Sequence, residues 1–160
     1  VVVLAIDPGP TESAYVMWSG DQVLAYAKVR NDNLVLLLLN PPREVEQAVI
    51  EKVASFGMPV GAEVFETVYW SGVFAHAFGL ARVDRITRNE IKNHLCHSSR
   101  AKDGNIRQAL IDRFGGPAAI GKKASPGPLY GLAGDTWSAL AVAVTFWDKY
   151  VVHNSGILEP

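Results

Sequence analysis

The sequence predicts an α/β fold, a mixed sheet with helices on its faces. The chain opens on an apolar, mostly β-branched run, residues 1–6, which reads as a strand buried on both faces rather than half exposed. Strand patterns then come first as a meander and afterwards alternate with helical ones. At 160 residues the chain fits one domain, long enough to bury roughly two-thirds of its unfolded surface.

Asp7 ends the first strand, and Pro8-Gly9-Pro10 stops it from continuing. Residues 13–19 and 22–29 read as strands joined by Gly20-Asp21, which makes them antiparallel neighbours. The leucine run 33–40 reads as a short helix that Pro41-Pro42 must end. Residues 46–54 form the next strand, with Glu51 near its end, and Gly57 and Pro59 keep 55–59 a loop. Residues 61–78 are a helix, since Val64, Phe65, Val68, Tyr69, Gly72 and Val73 recur at i, i+3, i+4 spacing before the stop at Gly79. Trp70, Phe74 and Phe78 widen that apolar arc, so this helix is either sandwiched in the core or shares a face with a partner chain.

Residues 81–86 are a short strand, and Thr87-Arg88-Asn89-Glu90 has the spacing of a capping box opening a helix to about Leu95. Asp103 or Gly104 starts another helix through Phe114, ended by Gly115-Gly116. Residues 115–133, rich in Gly and Pro, read as a long loop with room for one helical turn. Gly134-Asp135 opens the last helix, whose apolar positions are Trp137, Leu140, Ala141, Val144 and Trp147. Residues 150–160 are expected to be a loosely ordered tail, and neither a repeat nor a linker divides the chain.

The longest apolar runs are far too short to span a bilayer, so no membrane role is expected. No basic leader with a cleavage site is expected to precede the first strand. The single cysteine, Cys96, cannot form an internal disulfide, and a reducing compartment, a cytoplasm, is the expected setting. The net charge of −1 hides an asymmetry: between Arg82 and Lys123 ten basic residues face four acids, a surplus of +6 that leaves −7 elsewhere. A basic region beside an acidic one suits a nuclease, which holds phosphates while carboxylates hold metal; scattered charges on a solvated helical surface are the simpler alternative.

Three acids carry the chemistry. Asp7 ends a buried strand, Glu51 lies near the end of a second, and Asp135 opens a helix whose first turn favours the anion. Taken singly, Asp7 reads equally as a turn cap and Asp135 as an N-cap. Converging, two carboxylates about 4 Å apart repel by about 4 kcal/mol at an effective dielectric of roughly 20, and need a shared proton or divalent cations. Hard oxygen ligands with no His-Cys set select Mg²⁺ or Mn²⁺. Lys102, or a neighbour such as Lys52, is placed to offset charge on a phosphorane-like state, or is a plain surface lysine. Phe56, just past Glu51, either stacks on an unpaired base at a branch point or folds onto the core. The stretch with Lys122 and Lys123 lacks the GxxxxGK[ST] spacing of a phosphate loop and reads as a flexible basic arm or a connection. His94, Cys96 and His97 are a weak metal signal, crowded at one helix end.

Asp7-Pro8-Gly9 after a buried strand, Ile50-Glu51-Lys52-Val53 ending another, and Gly134-Asp135 before Ala139-Leu140-Ala141 resemble the RuvC Holliday-junction resolvases. The 61–78 helix and the basic stretch 100–116 are similar in kind to that family's middle region, and the nearer likeness is to phage-type members. The resemblance implies a ribonuclease H-like fold with a mixed five-stranded sheet and helices on both faces. It also implies a homodimer, formed through the 61–78 helix, that incises four-way or other branched DNA with two Mg²⁺ per site, Mn²⁺ substituting. By the match Asp7, Glu51 and Asp135 are the metal ligands, with Lys102 beside them. DNA contacts are expected from Lys52, Phe56, Arg88, Arg100, Lys102, Arg107, Lys122 and Lys123. One position departs from the pattern: the family carries a second acid one turn after that of Asp135, and here it is Ser138. Three acids then suffice, or Asp103 supplies the fourth, or activity is weakened. An RNA-processing nuclease of the same fold and a non-catalytic branched-DNA-binding dimer are the alternatives. The setting expected is a bacterial cell or a phage-infected host. An actin-like sugar kinase shares the opening strand and turn, but needs a duplicated domain that 160 residues cannot hold.

Overall fold

The structure, a computed structural model, describes residues 1–154. Its strands are β1 (Val2–Asp7), β2 (Glu12–Trp18), β3 (Val23–Arg30), β4 (Val45–Lys52) and β5 (Val83–Thr87). They form one mixed sheet in the order β3-β2-β1-β4-β5, with β1 and β2, and β2 and β3, antiparallel, and β1 and β4, and β4 and β5, parallel. The strand read first from the sequence is therefore the central one. Helices α1 (Asn31–Leu39) and α2 (Ala62–Phe78) cover one face; α3 (Arg88–Cys96), α4 (Asp103–Arg113) and α5 (Asp135–Phe146) cover the other.

The apolar run of β1 explains its place. Val3 and Ala5 pack among residues of α3, α4 and α5, while Val2, Leu4 and Ile6 pack with Leu34, Leu38, Phe74 and Phe78. Only a strand covered on both faces can be apolar at every position. The hairpin strand β3 alternates half-buried and exposed, as an edge strand with one covered face does. Helix α5 is buried from Thr136 to Phe146 except for Ser138, which is half-buried.

Several elements differ from the sequence reading. The expected stripe of α2 is not its buried face. Thr67, Phe74 and Phe78 are buried, and Phe65, Val68 and Tyr69 are more than half exposed. Thr67 turns inward because its hydroxyl is satisfied within the helix, donating to the Glu63 carbonyl at 2.9 Å. The stretch 115–133 is not a flexible arm. A 3₁₀ turn at Pro117–Ala119 and the small hairpin β6 (Gly121–Lys122) and β7 (Ser125–Pro126) fold it, and Leu129 is buried with its N–H on the Ala119 carbonyl at 2.8 Å. Gly127 is required there, because a Cβ would strike the Ala118 and Ala119 carbonyls.

The tail reading is corrected for residues 150–154. A π-helical turn, Trp147–Val151, continues α5 into α6 (Val152–Asn154), and residues 155–160 lie outside the described residues. Asp148 fixes that turn, accepting two bonds from Arg113 and lying 2.7 Å from His94 Nε2; Lys149 and Tyr150 both donate to Glu90. His94 is thus engaged in anchoring α3 to the C-terminal turn. Glu90 also completes the capping box with Thr87, as the spacing predicts.

Candidate active site

Five charged side chains gather at one pole of the sheet, each from a strand end or a helix start. Asp7 is the last residue of β1 and Glu51 the penultimate residue of β4, while Arg88, Asp103 and Asp135 are the first residues of α3, α4 and α5. The parallel register pairs Ile6 with Ile50, so Asp7 and Glu51 are side by side. Side chains alternate along a strand. Val3, Ala5 and Val49 pack with α5, so Asp7 and Glu51, two residues beyond, share that side. Three helix N-termini also open there, which favours anionic side chains and anionic ligands.

Asp7 does not serve as the turn's cap. The Gly9 N–H donates to Ser13 Oγ at 3.0 Å, Ser13 Oγ donates to Asn31 Oδ1 at 2.7 Å, and Asn31 Nδ2 donates to the Gly9 carbonyl at 2.9 Å. This buried Ser13–Asn31 pair takes over the hydrogen bonding of the Pro8-Gly9-Pro10 turn and leaves the Asp7 carboxylate to the pole. Asp135 is not an N-cap either; Gly134 holds that position, at φ 52°, a left-handed value glycine tolerates.

The electrostatics are those of crowded carboxylates. Burial, followed by the charges of Glu51 and Asp135, raises Asp7 from the ordinary 3.8 to about 7; Arg88 works in the opposite direction and Asp103 adds to the rise. Burial also raises Glu51, with Arg88 and Lys92 pulling it down and Asp103 pushing it up. Glu51 Oε2 is buried without a hydrogen bond, 3.5 Å from Arg88 Nη1. Arg88 pairs at its other nitrogen with Asp103, and Lys28 of β3 holds Asp135 at 2.8 Å. Among the described residues no three His, Cys, Asp or Glu side chains are drawn together closely enough to hold a metal ion. Asp135 and Asp103 are instead held by these two cations. The donor set itself fits a hard divalent cation: carboxylate oxygens, one of them buried without a hydrogen bond, and an Asp7 that burial and then the charges of Glu51 and Asp135 push upward.

Two clefts meet at Arg88. One is lined by Asp7, Glu51, Lys52, Phe56 and Thr67, the other by Asp103, Arg107, Asp135, Trp137 and Ser138. Phe56 is 70% exposed in a left-handed conformation, φ 51°, so it is not folded onto the core. Arg107 lies over the Trp137 ring, 5.0 Å from its centroid. Ser138 and Asp135 line the same cleft, one turn apart. Arg100, Lys102, Lys122 and Lys123 are exposed and belong to neither cleft. Sequence reasoning missed Lys28, Lys92 and the Ser13–Asn31 pair. Lys28 sits on a hairpin strand, and nothing in its neighbours along the chain points to Asp135. Lys92 is one turn past Arg88 on the capping-box helix, a spacing that was there to be read.

No protein-family model matches the chain, and no curated protein matches it. Solved structures do. RuvC from Thermus thermophilus superposes with a TM-score of 0.69 at 17% identity, covering 93% of this chain and 96% of that one. T. thermophilus RuvC in complex with a Holliday junction substrate gives a TM-score of 0.65 at 16% identity, covering 96% of each chain. A likeness at that identity is one of architecture, and the five-stranded mixed sheet with helices on both faces is the ribonuclease H-like fold that RuvC has.

Proposed function

We propose that residues 1–160 form one nuclease domain, a divalent-metal-dependent endonuclease that resolves four-way junctions or other branched DNA as a homodimer. One observation carries the reading: Asp7, Glu51 and Asp135 share a pole of a ribonuclease H-like sheet, where burial, followed by the charges of Glu51 and Asp135, raises Asp7 to about 7. Asp7, Glu51 and Asp135 would hold Mg²⁺ or Mn²⁺, with Asp103 at the margin. When bound, such a cation lowers the pKa of an attacking water and stabilises the leaving 3′ oxygen.

The chain's own residues do the rest. Lys92 and Arg88, whose charges already reach Glu51, offset the charge of a phosphate brought to the pole. Lys52, Arg100, Lys102, Arg107, Lys122 and Lys123 hold the DNA backbone. Phe56, exposed beside Asp7, stacks on an unpaired base at the branch. Phe65, Val68 and Tyr69 on α2 supply the self-association surface. The single cysteine suits the reducing cytoplasm of a bacterial or phage-infected cell.

Incision of a labelled four-way junction, compared with linear duplex in Mg²⁺ and in EDTA, tests this. Cleavage is expected only with the junction and metal, and Asp7→Asn should abolish it while leaving the junction gel shift. Junction binding with no cleavage at any Mg²⁺ or Mn²⁺ concentration would make the protein a binding dimer, and preferred cleavage of structured RNA would move it to RNA processing.

A further inference from the structure

Arg88 lies inside the carboxylate group rather than at its rim. Its side chain is 21% exposed, Nη1 is 3.5 Å from the Glu51 carboxylate, and Nη2 pairs with Asp103. Its place is fixed by the capping box that starts α3: Thr87 and Glu90 set the helix, and Arg88 is the first residue inside it. Both clefts of the site are lined by Arg88, so it separates the Asp7–Glu51 side from the Asp103–Asp135 side. On the far flank Lys28 holds Asp135 at 2.8 Å.

The charges at the pole then count in a definite way. Four carboxylates, Asp7, Glu51, Asp103 and Asp135, meet two cations in direct contact, Arg88 and Lys28, and Lys92 also acts on Glu51, so the excess is at most two negative charges. One divalent cation neutralises that excess. A second would stand beside a guanidinium that already takes up Glu51 and Asp103, and like charges at such distances repel strongly. The position one turn after Asp135, where another acid would add charge for a second ion, is Ser138, half-buried in the same cleft.

We infer that the Arg88 guanidinium stands in for one cation of the site, so that the free protein takes up a single divalent ion. This rests on the metal-site reading above and deepens it. An arginine suits the part: it stays charged at any working pH, and its planar fork serves two carboxylates at once.

Titration of the metal-free protein with Mn²⁺, followed by the electron paramagnetic resonance of free and bound ion, reads the number directly and needs no turnover. Wild type should bind one Mn²⁺ that Asp7→Asn loses. Arg88→Met, which keeps an unbranched apolar stem and carries no charge, should bind two, with the signal of a spin-coupled pair, and Arg88→Lys should stay at one. Two ions in wild type, or one in both wild type and folded Arg88→Met, would overturn the inference and leave the metal-site reading standing. No Mn²⁺ sensitive to Asp7→Asn would overturn both. Should Arg88→Met fail to fold, as judged by circular dichroism, Arg88→Gln takes its place with the same expected count of two, and one ion in that variant would overturn the inference.

Discussion

Helices α5 and α2 are both apolar around most of their circumference, yet one is enclosed and the other is not. From Thr136 to Phe146 only Ser138 of α5 escapes full burial, because β1 and β2 lie beneath it and α3 and α4 beside it. Helix α2 rests on α1 and on β4 with a narrow face, and Phe65, Val68 and Tyr69 stand in solvent. Equal apolarity therefore has two meanings. On the α5 side it is cohesion, and the charged pole is built on that rigid support. On the α2 side it exceeds what the fold uses.

The sharpest way to break this comparison is to truncate both helices. Leu140 is fully buried, and Leu140→Ala should cost about 2–5 kcal/mol in urea unfolding. Phe65→Ala removes a larger side chain from a 65% exposed position and should change monomer stability by no more than about 0.5 kcal/mol. Comparable losses for the two would mean that α2 is packed as tightly as α5.

A second effect belongs only to the α5 side. Asp7 is raised from 3.8 to about 7, so between those values the unfolded chain releases a proton that the folded one keeps. Stability is then fully present below about pH 4 and is lost as pH rises to about 7; the upward shift of Glu51 has the same sign. Solvent around a partly exposed carboxylate limits the loss from Asp7 to about 2 kcal/mol. Metal-free Asp7→Asn should be more stable than wild type at pH 8 and nearly equal at pH 4, and Mg²⁺ should restore much of the wild-type loss. A wild-type profile flat from pH 4 to 8 would mean that burial and the neighbouring acids do not raise Asp7 as described.

How much of this was legible in the sequence follows the same division. Where a residue's neighbours along the chain determine its role, the reading held: the buried opening strand, the Thr87–Glu90 box, and the last helix. It failed where the decision is made in three dimensions. Nearly every position of α2 is apolar or small, so periodicity offered no single face, and Thr67 was passed over because its inward hydroxyl is satisfied only once the helix exists. Lys28 and Asn31 reach Asp135 and Ser13 across long stretches of chain, and no local pattern announces such pairs. Arg88 was read as a DNA contact and not as a partner of Glu51, although its capping-box position already places it at a helix start beside the strand carrying Glu51.

The smallest expected effect on folding sharpens the comparison most, because it isolates what α2 has in excess. Phe65 and Tyr69 lie one turn apart on the exposed face, 65% and 63% exposed, and Val68 between them is 52% exposed. Replacing both aromatics by glutamate removes no buried contact of the single chain, and each new carboxylate enters water, so the monomer's unfolding free energy should move by about 0.5 kcal/mol or less. Two copies meeting through this face would bring like charges together in a desolvated interface, which opposes association strongly. Sedimentation at micromolar concentration should therefore give a dimer for wild type and a monomer for Phe65→Glu/Tyr69→Glu, with urea midpoints nearly unchanged at low concentration. Monomers in both cases would remove α2 as the self-association surface. A variant that fails to fold would show instead that these aromatics are held by the chain itself, and that α2 resembles α5 after all.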